Sequence, residues 1–295
     1  MTSTPKTRTI EPAAGPSAAS LAIISGGGRF PLVVAAAAER AGRSVVLFPI
    51  RGFADADFSS HRHEWIPLGA AGALVAKLRQ AGCSDVVLVG SLTRPRLRDL
   101  RIDFTTLRLL PRIAGLMRGG DDHLLTGVGR IFEEHGFHLR GAHEIAPDIL
   151  VPAGRLGAFE LNEDAQADAE KGFAALRAMG PLDVGQAVVV IDGYVVAVEA
   201  AEGTDLMLER VRDLRARGRI KMAPGRGVLV KAPKPGQDRR FDLPSVGLRT
   251  VEGAAAAGLA AIALEAGGVI AADLQAMIEA ADKAGLVLVG FDPAP

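Results

Sequence analysis

The first fifty residues restrict the possible folds more than any other part of the sequence. A short apolar run at 21–24 stops at the Ser-Gly-Gly-Gly of 25–28, and Pro31 stands where the first turn of a helix tolerates proline. An Ala-rich segment continues to Gly42, and a second apolar run covers 44–50. This order of strand, Gly-rich turn, helix and strand predicts a βαβ unit, and therefore a parallel sheet with a right-handed crossover.

The Gly-rich turn is compatible with a ligand but does not establish one. Backbone N–H groups at Gly26, Gly27 and Gly28 can approach a ligand, and the helix that follows favours anions. The spacing is not the G-x-G-x-x-G of a dinucleotide site, and residues 49–51 contain no ribose-binding acid. NAD binding therefore ranks low, and the turn is either a nucleotide or phosphate site or a tight turn without a ligand.

Length and composition set the class of protein. With 295 residues, of which 48% are hydrophobic, the chain is long enough for two ordinary domains with buried cores. No apolar run approaches the ~20 residues that cross a bilayer, and the N-terminus lacks the apolar stretch of a secretory signal. The single Cys83 excludes an intrachain disulfide framework. These features predict a cytoplasmic protein. Because aromatic residues are scarce, we expect no nucleic-acid partner.

The succession of elements predicts an α/β protein with two domains. We expect a disordered leader at 1–20, an N-terminal Rossmann-like domain with a parallel sheet at 21–152, a helical linker region at 153–183 and a second, catalytic α/β domain at 184–295. Asp192 and Gly193, placed between two β-branched runs, predict a hairpin in the second domain. The Ala-rich stretch 252–266 and the segment 267–285 are each predicted to be helical.

An arginine-rich segment follows the third predicted strand. Residues 94–118 carry seven arginines against two aspartates, with leucines at helical spacing. The pattern predicts a basic amphipathic helical region. It is either an ordinary surface helix pair or a face attracted to an anionic membrane or to a lipid phosphate.

Two acidic clusters stand at predicted helix starts. Asp121 and Asp122 follow two glycines, and Gly203, Thr204 and Asp205 precede the helix that begins near 206. Both clusters have two possible interpretations, namely caps for a helix N-terminus and ligands for a metal or a phosphate. For the second cluster, the capping interpretation assigns Thr204 or Asp205 as the N-cap.

A proline-rich segment, residues 221–250, is the most distinctive part of the second domain. It opens with a Gly-Arg-Gly turn and a short predicted strand at 228–230, and its prolines then fix the backbone around several polar side chains. From Asp205 to Arg249 there are twelve Lys and Arg against five Asp and Glu. Cations around a few carboxylates are typical of a phosphate or diphosphate site, and the alternative is a solvated basic edge.

Four motifs together resemble one known family. They are ISGGGRFP at 24–31, GGDDHLL at 119–125, VEAAEGTDLML at 198–208 and GVLVKAPKPGQDRRFDLPSVG at 227–247. The chain resembles UDP-2,3-diacylglucosamine pyrophosphatases of the LpxI type, from lipid A biosynthesis in Gram-negative bacteria, over about residues 21–292. The last motif is long and specific, whereas the Gly-rich turn alone carries little weight.

The resemblance implies a defined reaction. Members hydrolyse UDP-2,3-diacylglucosamine to UMP and 2,3-diacylglucosamine 1-phosphate with Mg²⁺, and water attacks the sugar-side phosphorus. It also implies two domains around one site, a homodimer, and a lipid-linked UDP-sugar substrate reached peripherally at the inner membrane. The alternative is a nucleotide- or phospholipid-binding regulatory module without turnover.

Diphosphate chemistry assigns roles to the polar residues of these motifs. Hydrolysis needs cations that neutralise the diphosphate and a carboxylate that orients water or holds a metal. The expected catalytic residues are Asp238, Asp205, Asp122, Lys231 and Gln237. The expected metal ligands are Asp238 and Asp205, with Asp122 as a further candidate. The expected substrate-binding residues are Gly26, Gly27, Gly28, Asp121, Gly203, Thr204, Lys221, Lys234 and Arg239.

Several matters stay open at the level of sequence. The pattern does not distinguish the acid that binds metal from the acid that orients water. As a hypothesis, the acyl chains pack against the Ala-rich helix near 259–264 or against the Leu-rich segment 107–117.

Overall fold

The structure, a computed structural model, describes residues 20–90, 92, 101–116, 120–240 and 243–292. Within its helices, the side chains of 110, 112–116 and 120–125 are not described. Almost all of the predicted leader and parts of the arginine-rich segment therefore lie outside the described residues. Among the helices that are described, none combines the length and apolar composition needed to cross a bilayer.

The N-terminal domain is a parallel sheet with helices on both faces, as the βαβ pattern predicts. Its described strands follow the order β2-β1-β3-β4, and every pairing is parallel. Pro31 lies in the first turn of α1, as expected. The strands are β1 (Ser20–Ser25), β2 (Val45–Pro49), β3 (Cys83–Val89) and β4 (His138–Leu139). The helices are α1 (Phe30–Arg40), α2 (Ala71–Gln80), α3 (Phe104–Leu116), α4 (Gly120–Glu134) and α5 (Ala142–Ile145).

The strands β1 and β2 of this sheet are buried on both faces. Alternate residues of β1 pack to opposite sides, with Leu21 and Ile23 toward α1, and Ala22 and Ile24 toward α2 and α4. Such continuous apolar strands are typical of a parallel sheet covered by helices on both faces. Cys83 is buried in the second of these cores, and burial raises the pKa of its thiol.

The second domain is a larger mixed sheet. In the described residues its strand order is β5-β12-β10-β8-β6-β7, and a separate pair joins β9 to β11. The strands are β5 (Gly154–Arg155), β6 (Ala187–Ile191), β7 (Tyr194–Val198), β8 (Val228–Lys231), β9 (Ser245–Val246), β10 (Ala261–Glu265), β11 (Ile270–Ala271) and β12 (Val287–Phe291). The helices are α6 (Glu163–Met179), α7 (Gly203–Ala216), α8 (Leu248–Ala256) and α9 (Leu274–Ala284).

The predicted hairpin is confirmed. Strands β6 and β7 pair antiparallel, and Asp192 and Gly193 join them with φ of 50° and 75°. Positive φ at both central residues defines the primed turn that fits the twist of a hairpin. Asp168 fastens this turn, because its carboxylate accepts the N–H groups of Asp192 at 3.0 Å and Gly193 at 2.6 Å.

Helix α6 lies on one face of the second sheet, and α7, α8 and α9 lie on the other. The α6 helix falls in the region predicted as a linker, and it packs directly on β6 and β8. Its approach is close, since a Cβ added to Gly172 would lie 2.4 Å from a methyl group of Val230.

Two helix predictions for this domain are wrong in part. The stretch predicted as one helix at 252–266 ends its helix at Ala256 and continues as the buried strand β10. The next segment forms the short strand β11 before α9. Leu259 and Leu264 consequently lie buried in the core of the second domain. Pairing with β8 and β12 outweighs the helix propensity of alanine here.

Candidate active site

The strand ends of the second sheet gather most of the predicted site. Strands β7, β8 and β10 run in the same direction, so their carboxyl ends share one edge of the sheet. Lys231 ends β8, Glu265 ends β10, and Glu199 follows β7 directly. The carboxyl edge of parallel strands is where open α/β sheets bind their ligands.

A buried polar triad stands at this edge. The ammonium of Lys231 donates to the hydroxyl of Thr204 at 2.6 Å, and that hydroxyl donates to Glu199 Oε1 at 2.7 Å. Lys231 Nζ also lies 3.9 Å from the same carboxylate oxygen. All three residues are buried, with relative exposures of 6%, 8% and 8%. Because buried charges require partners, the three side chains hold one another in a fixed geometry.

The capping interpretation of Thr204 and Asp205 is wrong. Helix α7 begins at Gly203, its N-cap is Glu202, and no side chain caps it. Gly203 has a φ of +80°, a conformation that side chains rarely adopt. Thr204 instead belongs to the triad, and Asp205 accepts from the exposed Arg249 at 3.1 Å.

A tight turn follows β8. Gln237 N–H donates to the carbonyl of Lys234 at 3.2 Å, and Pro235 and Gly236 occupy the two central positions. Proline followed by a glycine with φ of +80° is typical of a type II turn. The ammonium of Lys234 pairs with Asp183 across this turn. The side-chain oxygen of Gln237 accepts from Gln186 Nε2 at 2.9 Å and from Lys234 N–H at 3.1 Å.

Asp238 stands after this turn, at the junction of the two domains. Arg240 donates to both of its carboxylate oxygens, and the same guanidinium pairs with Glu133 of α4 at 2.9 Å. A Cβ on Gly141, which follows β4, would lie 3.3 Å from Arg240 Cα. A cavity of about 350 Å³ opens beside Arg240 and is lined by residues 133 and 136–140.

The guanidinium of Arg240 lowers the pKa of Asp238, chiefly through its hydrogen bonds. Asp238 is therefore ionised at neutral pH, and its carboxylate is a weak base there. An ionised carboxylate with restricted rotation suits the orientation of water or a cation better than it suits proton storage.

Arg239 points to the neighbouring strand. Its guanidinium lies 3.3 Å from Glu265 at the end of β10. Burial raises the pKa of Glu265, and the charges of Arg239 and Arg177 oppose that rise.

The remaining predicted residues belong to other segments than the strand ends of the second sheet. Gly26, Gly27 and Gly28 follow β1, and Gly90 packs against their backbone so closely that a Cβ would lie 2.8 Å from Gly26 C. Gly28 N–H donates to Asp55 at 2.7 Å. Lys221 is exposed in the segment that precedes β8, so it lies toward the opposite edge from Lys231.

The two aspartates of α4 are described through the backbone alone. Asp121 and Asp122 fall in the first turn of the helix, as predicted, and their side chains lie outside the described residues. Because a helix rises 1.5 Å per residue, Asp122 is roughly 16 Å along the axis from Glu133. The backbone of Asp122 is therefore far from the end of α4 that contacts Arg240.

A metal site made by protein ligands alone does not fit the described donors. Among residues whose side chains the structure describes, no three His, Cys, Asp or Glu residues cluster as a metal would need. The predicted ligands are instead paired with arginines, Asp238 through both oxygens and Asp205 through Oδ2. Mg²⁺ commonly binds through one or two carboxylates together with substrate phosphates and water, and this looser arrangement fits one or both of Asp238 and Asp205.

Three contributors to the site are not predicted by the sequence patterns. Glu199 lies within the motif at 198–208, and Gln186 stands alone before a strand. Arg240 follows Asp238 by two residues, and that spacing was the only local signal of their pairing. Another partner of Arg240, Glu133, is 107 residues away in sequence.

The fold and the site define a two-domain α/β protein with a polar site at the strand ends of its second sheet. Family models agree with this division, since the LpxI N-terminal domain matches residues 20–149 and the LpxI C-terminal domain matches residues 152–289. The chain belongs to the LpxI family. UDP-2,3-diacylglucosamine pyrophosphatase LpxI of Caulobacter vibrioides is 42% identical over 273 residues, which cover 92% of this chain and 98% of that relative.

Proposed function

We propose that this protein hydrolyses UDP-2,3-diacylglucosamine to UMP and 2,3-diacylglucosamine 1-phosphate. Membership of the family and the name of the relative support the reaction. The observation that carries the assignment to a site is Asp238, an ionised carboxylate held by Arg240 at the domain junction. A regulatory module without turnover is disfavoured, because the relative is named as a pyrophosphatase.

The proposed step is an in-line displacement at the sugar-side phosphorus. The water oxygen forms the new bond to phosphorus, the bridging P–O bond breaks, and the bridging oxygen leaves with UMP. Asp238 orients the attacking water, and the proton of that water passes to solvent or to a phosphate oxygen. Three cations neutralise the diphosphate, namely Lys231, Lys234 and Arg239. Each is paired with an acidic residue in the structure, so each must interact with that residue and with the substrate at the same time.

We propose Mg²⁺ as the cofactor. Asp205 and Asp238 are the residues that would contribute carboxylate oxygens, alongside the diphosphate itself. When bound, the ion supplies charge neutralisation at the phosphorus centre. Removal of divalent cations with EDTA should abolish UMP release, and Mg²⁺ should restore it.

The decisive experiment compares the wild type with Asp238→Ala and with Asp213→Ala, an exposed aspartate of α7. UMP release should fall at least ~10²-fold in Asp238→Ala, which should still bind substrate, and should be unchanged in Asp213→Ala. In H₂¹⁸O the label should enter 2,3-diacylglucosamine 1-phosphate. Full activity of Asp238→Ala would reject the site, and no UMP release by the wild type would reject the function.

We further propose that α3 contacts lipid, either the membrane surface or the acyl chains of the substrate. Phe104 and Leu107 are 67% and 56% exposed, and the guanidinium of Arg108 lies 4.4 Å from the Phe104 ring centre. Exposed apolar side chains beside a cation suit an anionic membrane surface or the acyl chains of the substrate. Phe104→Ser with Leu107→Ser should raise KM for micellar substrate and weaken vesicle binding. The matched control is the exposed pair Tyr194→Ser with Val195→Ser, which should change neither.

We also propose that the protein acts in the cytoplasm at the inner membrane and that it forms a homodimer. Both rest on the family resemblance. Light scattering coupled to gel filtration should give about twice the 30.7 kDa chain mass, and a monomer mass would reject the homodimer.

A further inference from the structure

Glu199 is a buried carboxylate whose two oxygens are both used. Oε1 accepts the hydroxyl proton of Thr204 at 2.7 Å, and Oε2 accepts the backbone N–H of Gln186 at 2.9 Å. Replacing a buried ionic group by an apolar one of similar size is often neutral or stabilising for a fold. A buried acid that contacts a lysine at the strand edge therefore points to a role in the site.

The direction of the hydrogen bonds fixes what Thr204 can do. A hydroxyl has one proton, and Thr204 donates its proton to Glu199, so toward Lys231 it is an acceptor. Phosphate oxygens also need a donor. Because the hydroxyl proton of Thr204 is already donated to Glu199, Thr204 cannot donate a hydrogen bond to a phosphate at the same time. Thr204 is consequently a support for the Lys231 ammonium, whereas the sequence suggested direct contact with substrate.

A second connection runs from Glu199 to the turn before Asp238. Gln186 donates its backbone N–H to Glu199 and its side-chain Nε2 to Gln237 at 2.9 Å. The backbones are pressed together here, because a Cβ on Gly185 would lie 2.3 Å from the carbonyl oxygen of Glu199. The position of Glu199 is thereby coupled to Gln237, the residue before Asp238.

We propose that Glu199 and Gln186 are positioning residues of the reaction. Glu199 holds Lys231 through Thr204, and Gln186 fastens this group to Gln237. Neither residue is required to touch substrate. This inference rests on the proposed diphosphate hydrolysis, since the groups it positions are those assigned to that reaction.

The expected kinetic effect is on turnover. A misplacement of about 1 Å can reduce catalysis ~10²-fold without removing a contact to substrate. Glu199→Gln and Thr204→Val should each lower kcat between about 10-fold and 100-fold, with KM changed less than ~3-fold. Thr204→Ser keeps the hydroxyl and should retain most activity. Gln186→Ala keeps the backbone N–H and should lower kcat by a smaller factor.

The double variant separates positioning from a general structural role. If Glu199 acts through Thr204, then Glu199→Gln with Thr204→Val should be no slower than Thr204→Val alone, because coupled residues are not additive. The matched control is Asp168→Asn, a buried carboxylate that also accepts two N–H groups but lies at the hairpin turn. It should lower Tm with little change in kcat.

The outcomes distinguish the two proposals. If the wild type is active and the double variant loses kcat by the product of the two single losses, the positioning role is overturned and the proposed function stands. An Asp168→Asn loss of kcat equal to that of Glu199→Gln has the same consequence. If Glu199→Gln does not fold, the same cycle is measured with Gln186→Ala and Gln237→Ala, where a non-additive result supports the role and an additive result overturns it. No UMP release by the wild type overturns the proposed function and this inference together.

Discussion

Arg240 donates to both carboxylate oxygens of Asp238, with 3.0 Å from Nε to Oδ1 and 2.8 Å from Nη2 to Oδ2. A planar guanidinium matches a carboxylate in this two-point arrangement, which fixes direction as well as distance. The pairing joins residues only two positions apart, so the backbone between them is held in a compact loop. Asp238 is thus oriented before any substrate arrives.

Loss of the guanidinium should change stability in a pH-dependent way. The folded-state pKa of Asp238 lies below its ordinary 3.8, so its contribution is present above that value and is lost as pH falls through the lowered pKa. Arg240→Gln should therefore have a lower Tm than the wild type near pH 7, and the difference should shrink in acid. Melting curves from pH 7 to pH 3 check this. A difference that grows on acidification contradicts the prediction.

Glu133 should matter more for activity than for stability. Its ion pair with Arg240 is partly exposed, with side-chain exposures of 44% and 36%, and such pairs contribute about 0–1 kcal/mol. Glu133→Gln should change Tm by less than about 2 °C but lower kcat several-fold, because Arg240 loses one of its anchors. Glu160→Gln, which removes the exposed pair with Arg155, is the control. Equal kinetics of the two variants would argue against this coupling.

Glu265 should destabilise the fold at neutral pH. Burial raises its pKa, so folding favours the protonated form, and stability rises as pH falls through the raised value. Glu265→Gln should raise Tm at pH 8, and the gain should diminish near pH 4.5. Glu279→Gln, on the exposed side of α9, should show no such trend. A larger gain at pH 4.5 than at pH 8 would reverse the expected sign.

Gly172 should be required for the contact between α6 and the sheet. A methyl group there would meet the branched side chain of Val230 at 2.4 Å, and such overpacking costs about 1–3 kcal/mol. Gly172→Ala should lower the free energy of unfolding in urea despite the better helix propensity of alanine. Addition of Val230→Ala should recover part of the loss. A Gly172→Ala variant as stable as the wild type would show that the helix can shift away.

Local patterns were sufficient for much of the fold. The βαβ unit and the primed hairpin turn at Asp192 depend on residues close in sequence, and both are confirmed. The error at 261–265 has a clear cause. Ala261 and Ala263 face α6, while Ile262 and Leu264 face the opposite core, so the period was two rather than 3.6. Alanine on the α6 side leaves room for a closely packed helix.

The candidate site depended on contacts that sequence spacing does not encode. The motif around Asp238 identified the segment, and the structure supplies the pairing of Arg240 with Glu133. The donors and acceptors of Thr204 are also fixed by strand order, because β7 and β8 bring Glu199 and Lys231 to the same edge. A helix-capping rule could not anticipate that the hydroxyl serves a neighbouring strand.

The single cysteine provides a natural probe of opening motions in the N-terminal domain. Cys83 begins β3, and because its thiol is buried, we expect it to react with a maleimide dye only when that strand is uncovered. The chain has no other thiol. The labelling rate therefore reports how often the N-terminal sheet opens, without an engineered probe. A ligand that binds both domains and stabilises their contact would lower that rate.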